Sequence, residues 1–325
     1  MLKPIASPSV STESYVVKDL GYNLVMNLSS KIKVSVLRGG PSSEYDTSLK
    51  TGGYILSTLR EMPETYEPMD IFWDGEWHYI GLVKEPHHLL RHTDVVWNAL
   101  HGSYGEDGQV QHLLESIKIP FTGSKVFGSA LSMNKAMTKN IYNQHNLLTP
   151  RHELVRGTVS YADLIHIFQN YLHPVIVKPA NGGSSIGIRL AHTFQELEEV
   201  VAQAFKHSSQ VLVEEFIEGD EVSCTVIEGA KGERVYALLP SSKSRFKLKT
   251  EENKQIEEMA KLAHSTLGLR HYSSSDFIVT PKRKIYILET NSLPVLHEDS
   301  LTHKSLRATG WRSRDFVDHI LKLAM

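Results

Sequence analysis

The segment from Lys178 to Gly187, KPANGGSSIG, contains the residue types in this sequence that are most suited to chemistry. Three glycines and two serines, Ser184 and Ser185, follow a lysine at the end of an apolar run. The backbone N–H groups and hydroxyls of such a loop can surround a polyphosphate, and the lysine supplies positive charge. The segment is not a P-loop, because isoleucine and arginine follow the last glycine where that motif has lysine and serine or threonine. The sequence therefore predicts a phosphate-binding loop of another kind.

Two other interpretations of this glycine loop remain open. Gly183, Ser185 and Gly187 match the GxSxG pattern of the nucleophile elbow in serine hydrolases. That elbow requires a turn from a strand into a helix, whereas a short strand is predicted over 188–190. The other interpretation is a glycine hairpin that binds no ligand.

Carboxylates and an amide form a second group near the C-terminus. If residues 281–283 form the turn of a hairpin, Asp276 lies opposite Glu289, and the two-residue period of a strand places Glu289 and Asn291 on one face. Such oxygens suit Mg²⁺, which takes its remaining ligands from water and nucleotide phosphates. A solvated acidic hairpin is the alternative for this segment alone. Partnership with the glycine loop favours the metal site, because a triphosphate requires a cation for neutralisation.

A third group of carboxylates lies between two predicted strands, 211–216 and 221–228. Glu214 and neighbouring backbone groups are suited to contact the ribose hydroxyls and the adenine edge of a nucleotide. A charged, solvated loop is the alternative for this segment.

The elements that must position these groups alternate between strands and helices. Residues 32–36 alternate as in a strand and lead through two glycines into a helix over 43–61. Residues 94–100 form another strand, which ends in the glycine-rich segment 101–108. Open α/β sheets bind ligands at the carboxyl ends of their strands, so both turns are candidate binding sites. Further helices are predicted over 110–116, 129–145, 193–205 and 253–267, and further strands over 173–179, 188–190, 276–279 and 284–289.

Composition narrows the class of protein. The chain has 325 residues, 41% of them hydrophobic and 22% charged, as in a globular protein of two or three domains. A net charge of −2 and the absence of a long apolar run argue against nucleic-acid and membrane partners. The single cysteine, Cys224, is expected in the core and fits a reducing compartment, so we expect a cytoplasmic protein. Residues 1–30 are expected to form an irregular extension, in which Tyr15 to Leu20 could add an edge strand.

These motifs, taken in order, resemble those of the D-alanine:D-alanine ligases of the ATP-grasp superfamily, from about Lys31 to Leu323. The matching segments are GGPSSE at 39–44, LHG at 100–102, GEDG at 105–108, FTGS at 121–124, ALSMNK at 130–135, the glycine loop, 214–221, Asp276 and ETN at 289–291. These motifs are specific, and they occur in the family's order.

The resemblance implies an α/β (α+β) three-domain ATP-grasp fold. A Rossmann-like substrate domain would span 31–123, after an extension over 1–30. A central ATP-grasp lid domain would span 124–213 and a C-terminal ATP-grasp domain 214–325. ATP would lie between the last two domains, and a homodimer is possible because the family often dimerises through its N-terminal domain.

The resemblance also implies a role for each motif residue. Glu44 would bind the ammonium group of the first D-alanine, and His101 would lie beside the carboxylate of that substrate. Ser300 would help to hold the second D-alanine. ATP would contact Lys135, Lys178, Ser184, Ser185, Glu214, Glu215, Phe216, Ile217 and Glu221. The catalytic residues would be Glu44, Lys178 and Ser184. Two Mg²⁺ ions, or Mn²⁺ in their place, would be held by Asp276, Glu289 and Asn291.

Three departures from the family pattern surround the site of acyl transfer. The lid loop over 240–250 is much shorter than usual and lacks the expected tyrosine, although its basic residues could supply a positive charge. Ser274 stands where the family has an arginine, and a hydroxyl cannot replace the bidentate charge of a guanidinium. Val295 stands where the family has a glycine.

The sequence therefore supports three hypotheses about function. The first is a D-alanine:D-alanine ligase that forms the dipeptide through an acyl phosphate for peptidoglycan precursor synthesis. The second is an ATP-grasp ligase with a different amino acid or carboxylate acceptor, for which the altered lid is the main evidence. The third is an ATP-binding relative that has lost turnover. ATP hydrolysis that depends on D-alanine separates the first hypothesis from the others.

Overall fold

The computed structural model describes residues 31–157, 159–182, 187–206, 208–244 and 247–325. The edge strand expected over Tyr15 to Leu20 lies outside these residues. Strands and helices of the described chain form three β-sheets with helices packed against them, which confirms the predicted α/β (α+β) class. Within the same ranges, no helix combines the length and the apolar character that crossing a membrane requires.

The first sheet has the parallel centre of a Rossmann-like domain. Its elements are β1 (Ile32–Gly39), α1 (Tyr45–Arg60), β2 (Tyr66–Trp73), β3 (Trp77–Tyr79), β4 (Leu82–Val83), α2 (Pro86–Leu90), β5 (Val95–Asn98) and α3 (Gln109–Ser116). The strand order is β4-β3-β2-β1-β5, and β1 pairs in parallel with β2 and β5. Val34, Val36 and Leu37 of β1 are buried, as expected of a central parallel strand. The chain turns at Gly39, whose φ is 96° and where a Cβ would lie 2.4 Å from the Trp73 carbonyl oxygen.

Two short helices connect the first sheet to the second. They are α4 (Val126–Met133) and α5 (Lys135–Gln144). The prediction of one helix over 129–145 was wrong, because Asn134 is extended and caps α5 by accepting a hydrogen bond from the Met137 N–H at 3.0 Å. The break also lets the Lys135 N–H donate to the Ala180 carbonyl at 2.9 Å. Helical periodicity does not reveal this break, which accompanies pairing with Ala180 and Asn181, two residues that are distant in the sequence.

The second sheet is antiparallel and carries the glycine loop. Its elements are β6 (His152–Arg156), α6 (Tyr161–Asn170), β7 (Val175–Pro179), β8 (Arg189–Ala191), α7 (Phe194–Ala204) and β9 (Gln210–Glu215), in the strand order β6-β9-β7-β8. The glycine loop joins the antiparallel strands β7 and β8. A strand therefore follows the loop, which excludes the strand-to-helix turn of a nucleophile elbow. Thr193 caps α7 by accepting a hydrogen bond from the Glu196 N–H at 3.2 Å, as the sequence predicted.

The third sheet is also antiparallel and carries the acidic hairpin. Its elements are β10 (Asp220–Glu228), β11 (Val235–Ala237), α8 (Thr250–Thr266), β12 (Tyr272–Val279), β13 (Ile285–Asn291), α9 (Leu301–Ala308) and α10 (Ser313–Ala324), in the strand order β11-β10-β12-β13. Cys224 is fully buried in the core beneath this sheet, as expected. The helices α4 and α5 pack against β13, so the connection between the first two sheets also contacts the third.

Contacts between the first and third sheets fix the position of the carboxyl edge of the first sheet. The ring centroids of Trp97 in β5 and Phe316 in α10 lie 6.4 Å apart, and those of Trp97 and Tyr272 in β12 lie 6.1 Å apart. The Arg270 guanidinium donates hydrogen bonds of 3.0 Å to the carbonyl oxygens of Phe121 and Gly123. The carboxyl ends of β1 and β5 are therefore held at a fixed position relative to the acidic hairpin.

Candidate active site

Buried lysines and glutamates meet where the second and third sheets face each other. The Lys178 Nζ lies 2.9 Å from one carboxylate oxygen of Glu214, and the Lys139 Nζ lies 3.2 Å from the other. The Lys135 Nζ lies 3.1 Å from Glu289 Oε2 and donates a hydrogen bond of 2.6 Å to the carbonyl of Gly182. The lysines predicted to contact phosphate thus lie beside the glycine loop and join it to the acidic hairpin.

Local geometry explains this arrangement. Ile176 of β7 pairs with Glu214 of β9, so Lys178, two residues further along β7, lies on the same face as Glu214. Lys135 and Lys139 are one helical turn apart on α5 and therefore share a face of that helix. One side of α5 and one face of the second sheet bring the three ammonium groups together.

Burial and pairing act in opposite directions on the two glutamates. Burial by itself raises the pKa of Glu214, but Lys178 and Lys139 outweigh it and hold that pKa below its ordinary value. Burial likewise opposes ionisation of Glu289, and Lys135 and then Lys178 bring its pKa below the ordinary value. Both carboxylates are therefore ionised at neutral pH.

Asp276, Glu289 and Asn291 form the predicted oxygen cluster. Asp276 pairs with Glu289 across β12 and β13, which confirms the predicted register, and Asn291 Nδ2 donates to Asp276 Oδ2 at 3.2 Å. Burial and then the charge of Glu289 raise the pKa of Asp276 to about 7. A cation relieves this repulsion between adjacent carboxylates, so the donor set fits a divalent metal ion with oxygen ligands.

Glu44, His101 and Glu106 converge at the carboxyl edge of the first sheet. One ligand atom from each lies within 4.8 Å of the other two. Gly102 permits this approach with a φ of 73°, because a Cβ at that position would lie 2.8 Å from Ser42 Oγ and 3.1 Å from Glu44 Oε1. The two glycine turns recognised in the sequence therefore contribute to one site.

Burial sets the protonation of this cluster. Burial, followed by the charge of His297, lowers the pKa of His101 to about 4. Burial, followed by the charge of Glu44, raises the pKa of Glu106 to about 8. His101 Nε2 lies 2.9 Å from the Thr51 hydroxyl oxygen. At neutral pH His101 is therefore neutral, and Glu106 is mostly protonated.

Comparisons with known proteins identify the family to which this chain belongs. The family model described as D-ala D-ala ligase C-terminus matches residues 153–244 and 240–322, and the model for the D-ala D-ala ligase N-terminus matches residues 81–124. D-alanine–D-alanine ligase A of Clostridium perfringens is 33% identical over 309 residues, which cover 90% of this chain and 98% of that protein. The chain belongs to the D-alanine–D-alanine ligase family.

Solved structures of the D-alanine–D-alanine ligase family share the fold. The ligase from Coxiella burnetii superposes with a TM-score of 0.81 at 26% identity, over 90% of this chain and 95% of that chain. The Bacillus anthracis ligase complexed with ATP gives a TM-score of 0.75 at 26% identity, over 90% and 96% of the two chains. The ATP-grasp fold inferred from the motifs is therefore confirmed, and membership of this family makes the protein an ATP-dependent ligase.

The remaining predicted ATP contacts of this D-alanine–D-alanine ligase family member lie between β9 and β10. Glu215 accepts a hydrogen bond of 2.8 Å from the Arg151 N–H, and the Phe216 side chain is 42% exposed. Ile217 follows in the connection, and Glu221 lies exposed near the start of β10. Ser184 and Ser185 lie outside the described residues. The roles of all these residues remain predictions.

Ser300, predicted to hold the second substrate, is the N-cap of α9. Its hydroxyl oxygen accepts a hydrogen bond of 3.1 Å from the His303 N–H, and the hydroxyl donates one of 2.7 Å to the His297 carbonyl. The structure therefore gives this side chain a helix-capping role, and its contact with a substrate remains a prediction.

The short lid packs along the strand next to Ser274. Ser223 and Ser241 exchange backbone hydrogen bonds of 2.8 and 2.9 Å, and Ser223 Oγ lies 2.8 Å from Ser274 Oγ. Lys243 of the lid is exposed, and its charge opposes the rise in the pKa of Asp276. A basic residue of the lid thus acts on the oxygen cluster, while Ser274 contacts other hydroxyls.

Two residues of the site were not singled out by sequence reasoning. Glu106 lies in the motif GEDG, but its protonation depends on burial beside Glu44, which the sequence does not show. Lys139 follows Lys135 by four residues, which was the available signal that both lie on one helix face. Its contact with Glu214 depends on the packing of α5 against the second sheet.

Proposed function

We propose that the protein joins two D-alanine molecules into the dipeptide D-Ala-D-Ala and converts ATP to ADP and phosphate. The observation that carries the proposal is the ion pair of 3.1 Å between Lys135 and Glu289, because it joins the glycine loop to the oxygen cluster. A phosphate-binding side and a metal-binding side then face one another, as transfer of a phosphoryl group requires. Similarity to D-alanine–D-alanine ligases over most of the chain supports the choice of substrate.

ATP would lie between the second and third sheets. Its phosphates would lie near Lys135, Lys178 and the serines Ser184 and Ser185 of the glycine loop. Its adenosine would lie near the segment from Glu214 to Glu221. The similar Bacillus anthracis ligase is complexed with ATP, which supports ATP as the nucleotide.

Asp276, Glu289 and Asn291 would hold two Mg²⁺ ions, or Mn²⁺ in their place. These ions would supply charge neutralisation of the phosphates. The residues themselves fit this task, since Asp276 pairs with Glu289 across the hairpin, Asn291 contacts Asp276, and burial and Glu289 raise the pKa of Asp276.

The first D-alanine would bind beside Glu44, His101 and Glu106. The carboxylate of Glu44 would accept its ammonium group, while protonated Glu106 would add no second charge. Neutral His101 would lie beside the substrate carboxylate without forming an ion pair with it. The substrate carboxylate would then face the phosphate-binding lysines.

The carboxylate of the first D-alanine must be activated before an amine can react with it. A carboxylate does not react with an amine, because it is anionic and its leaving group would be oxide. The carboxylate oxygen of the first D-alanine would attack the γ-phosphorus of ATP, releasing ADP and giving an acyl phosphate. The deprotonated amine of the second D-alanine would attack the carbonyl carbon, and phosphate would leave. Lys178 and Lys135 would position the phosphates and balance their charge, and closure of the site would exclude water from the acyl phosphate.

A ligase with a different acceptor is the second candidate function. The observation that favours it is the contact of Ser274 with the Ser223 hydroxyl at 2.8 Å, where the family pattern has a guanidinium. A neutral hydroxyl pair would bind the carboxylate of a second amino acid less strongly than an arginine does. The first step, phosphorylation of D-alanine, would be unchanged.

In the cell this activity would supply peptidoglycan precursors in the cytoplasm. The substrates would be D-alanine and ATP, and the enzyme could act as a homodimer. Neither nucleic acid nor membrane would be a partner.

The test is ADP release by the purified protein with Mg-ATP, with and without D-alanine, together with mass detection of the dipeptide. We expect D-alanine-dependent ADP and D-Ala-D-Ala in equal amounts. ADP release that depends on D-alanine but yields no dipeptide would indicate a different acceptor. ATP binding without D-alanine-dependent ADP would contradict the proposed activity and indicate an ATP-binding relative that has lost turnover.

A further inference from the structure

Lys139 is a residue of the candidate site that is fully buried. Its side chain has no exposed surface. Its ammonium group lies 3.2 Å from Glu214 Oε1 and donates a hydrogen bond of 2.8 Å to Thr149 Oγ1. Burying an ammonium group is unfavourable unless it is paired, so this contact with Glu214 must offset the cost of desolvation.

Glu214 is shared between two lysines. Its second oxygen lies 2.9 Å from the ammonium group of Lys178, which lies at the entrance of the glycine loop. If Lys139 were neutral, the single negative charge of Glu214 would be balanced by Lys178 alone. The pair would then have no net charge and would attract an anion less strongly. With Lys139 charged, the side chains of Lys139, Glu214 and Lys178 have a net charge of +1. This charge lies at Lys178, the lysine closer to the loop.

We propose that Lys139 is a positioning residue that neutralises Glu214 and thereby leaves the charge of Lys178 available to the phosphates of ATP. This inference rests on the proposed location of ATP. It assigns to Lys139 an indirect role, since its ammonium group is enclosed by Glu214 and Thr149 and does not reach the ligand. Lys135, one turn earlier on α5, contacts the glycine loop directly through Gly182 and therefore has a different role.

A merely structural role makes a different prediction. In that case, the buried contact of Lys139 with Glu214 would couple the two positions in the free energy of unfolding, but replacement of Lys139 would change the ATP affinity of the folded protein by the same factor whatever stands at position 214. If Lys139 acts through the charge of Glu214, its replacement must have little effect once that charge is removed. The two roles therefore differ in whether positions 139 and 214 are coupled in ATP affinity, and a double-mutant cycle measures this coupling.

The experiment measures ATP binding by calorimetry in the full chain for Lys139→Met, Glu214→Gln and the double variant. We expect Lys139→Met to weaken ATP binding about tenfold or more, because the carboxylate of Glu214 then pairs with Lys178 alone and competes with the phosphates for its charge. We expect Glu214→Gln and the double variant to bind ATP with similar affinity. Equal fold losses from Lys139→Met in both backgrounds would overturn the proposal. Lys261→Met removes a partly buried lysine of α8 that forms an ion pair of 2.8 Å with Glu233, in the connection between β10 and β11, and serves as the matched control.

A second readout remains available if Lys139→Met does not fold. Burial lowers the pKa of Lys139 to about 8. The charged groups that face it are Lys178 on β7, Glu214 on β9 and Glu289 on β13, and the titratable His152 on β6 also faces it. ATP affinity of the unmodified protein should fall as the pH rises through about 8, because Lys139 then loses its proton. Glu214→Gln, which keeps Lys139, should not show this fall, and a fall of equal size in it would overturn the proposal.

Failure of this inference is distinguishable from failure of the proposed function. ATP binding is measured without D-alanine, so it does not depend on dipeptide formation. A protein that binds ATP but forms no dipeptide would contradict the proposed activity and still permit the test of Lys139. Absence of ATP binding by the unmodified protein would overturn both.

Discussion

Glu106→Gln tests whether a buried carboxyl in the first-substrate site is protonated at neutral pH. The ordinary pKa of this group is 4.5, whereas burial and then the charge of Glu44 raise it to about 8 in the folded protein. Between these values the folded state holds a proton that the unfolded state has lost. The contribution of this proton to the free energy of unfolding is fully present below pH 4.5 and is lost as the pH rises through about 8. The variant carries no ionisable group at this position and should lack this pH dependence.

The magnitude follows from the two pKa values. Below its folded-state pKa of about 8 the carboxyl of the folded protein is mostly protonated, while loss of the proton stabilises the unfolded state by about 1.4 kcal/mol per pH unit. Above pH 8 both states ionise and their pH dependences cancel. From pH 7 to pH 9 the unmodified protein should therefore lose about 1.4 kcal/mol of unfolding free energy relative to Glu106→Gln.

Thermal unfolding at pH 7 and pH 9 measures this difference. Three of the four tryptophans, Trp73, Trp77 and Trp97, lie on β2, β3 and β5 of the sheet at whose edge Glu106 lies, so tryptophan fluorescence follows the relevant unfolding step. We expect the unmodified protein to lose roughly 2 to 5 °C more in midpoint than Glu106→Gln. Glu115→Gln, an exposed change in the same domain, is the control and should follow the unmodified protein. Parallel losses in the unmodified protein and Glu106→Gln would show that Glu106 is already ionised, and the reasoning from burial would be wrong.

Three further changes test other parts of the site. Lys178→Ala removes the ammonium group next to Glu214 and should raise the KM for ATP roughly tenfold to a hundredfold, as loss of a charged hydrogen bond does; an unchanged KM in ADP-release assays would remove this lysine from the phosphate site. Glu289→Gln should shift the Mg²⁺ requirement to higher concentration at fixed ATP, because it removes one of the converging carboxylates; an identical Mg²⁺ titration would exclude it as a ligand. Ser300→Ala should destabilise the protein by about 1 kcal/mol through loss of the α9 cap, with Ser300→Thr as the control. A thermal shift without a change in the KM for D-alanine would assign Ser300 a structural role only.

Local patterns in the sequence determined much of the fold and the chemical character of the site. The glycine loop after β7, the capped helix α7 and the hairpin pairing of Asp276 with Glu289 depend on residues that are close in the chain. Two-residue and helical periods report such short-range geometry directly. The order of the motifs also indicated the D-alanine–D-alanine ligase family, and the comparisons confirmed that membership.

Tertiary structure alone decided which charges meet. The predicted helix is divided at Asn134, because the N–H of the next residue, Lys135, pairs with the carbonyl of Ala180, which is distant in the sequence. On α5, which begins there, Lys135 contacts Glu289 and Lys139 contacts Glu214. Burial then decides protonation, as in Glu106, which shares its site with Glu44 across more than sixty residues of sequence. Desolvation and Coulomb interactions depend on distances between side chains, which no local pattern in the sequence specifies.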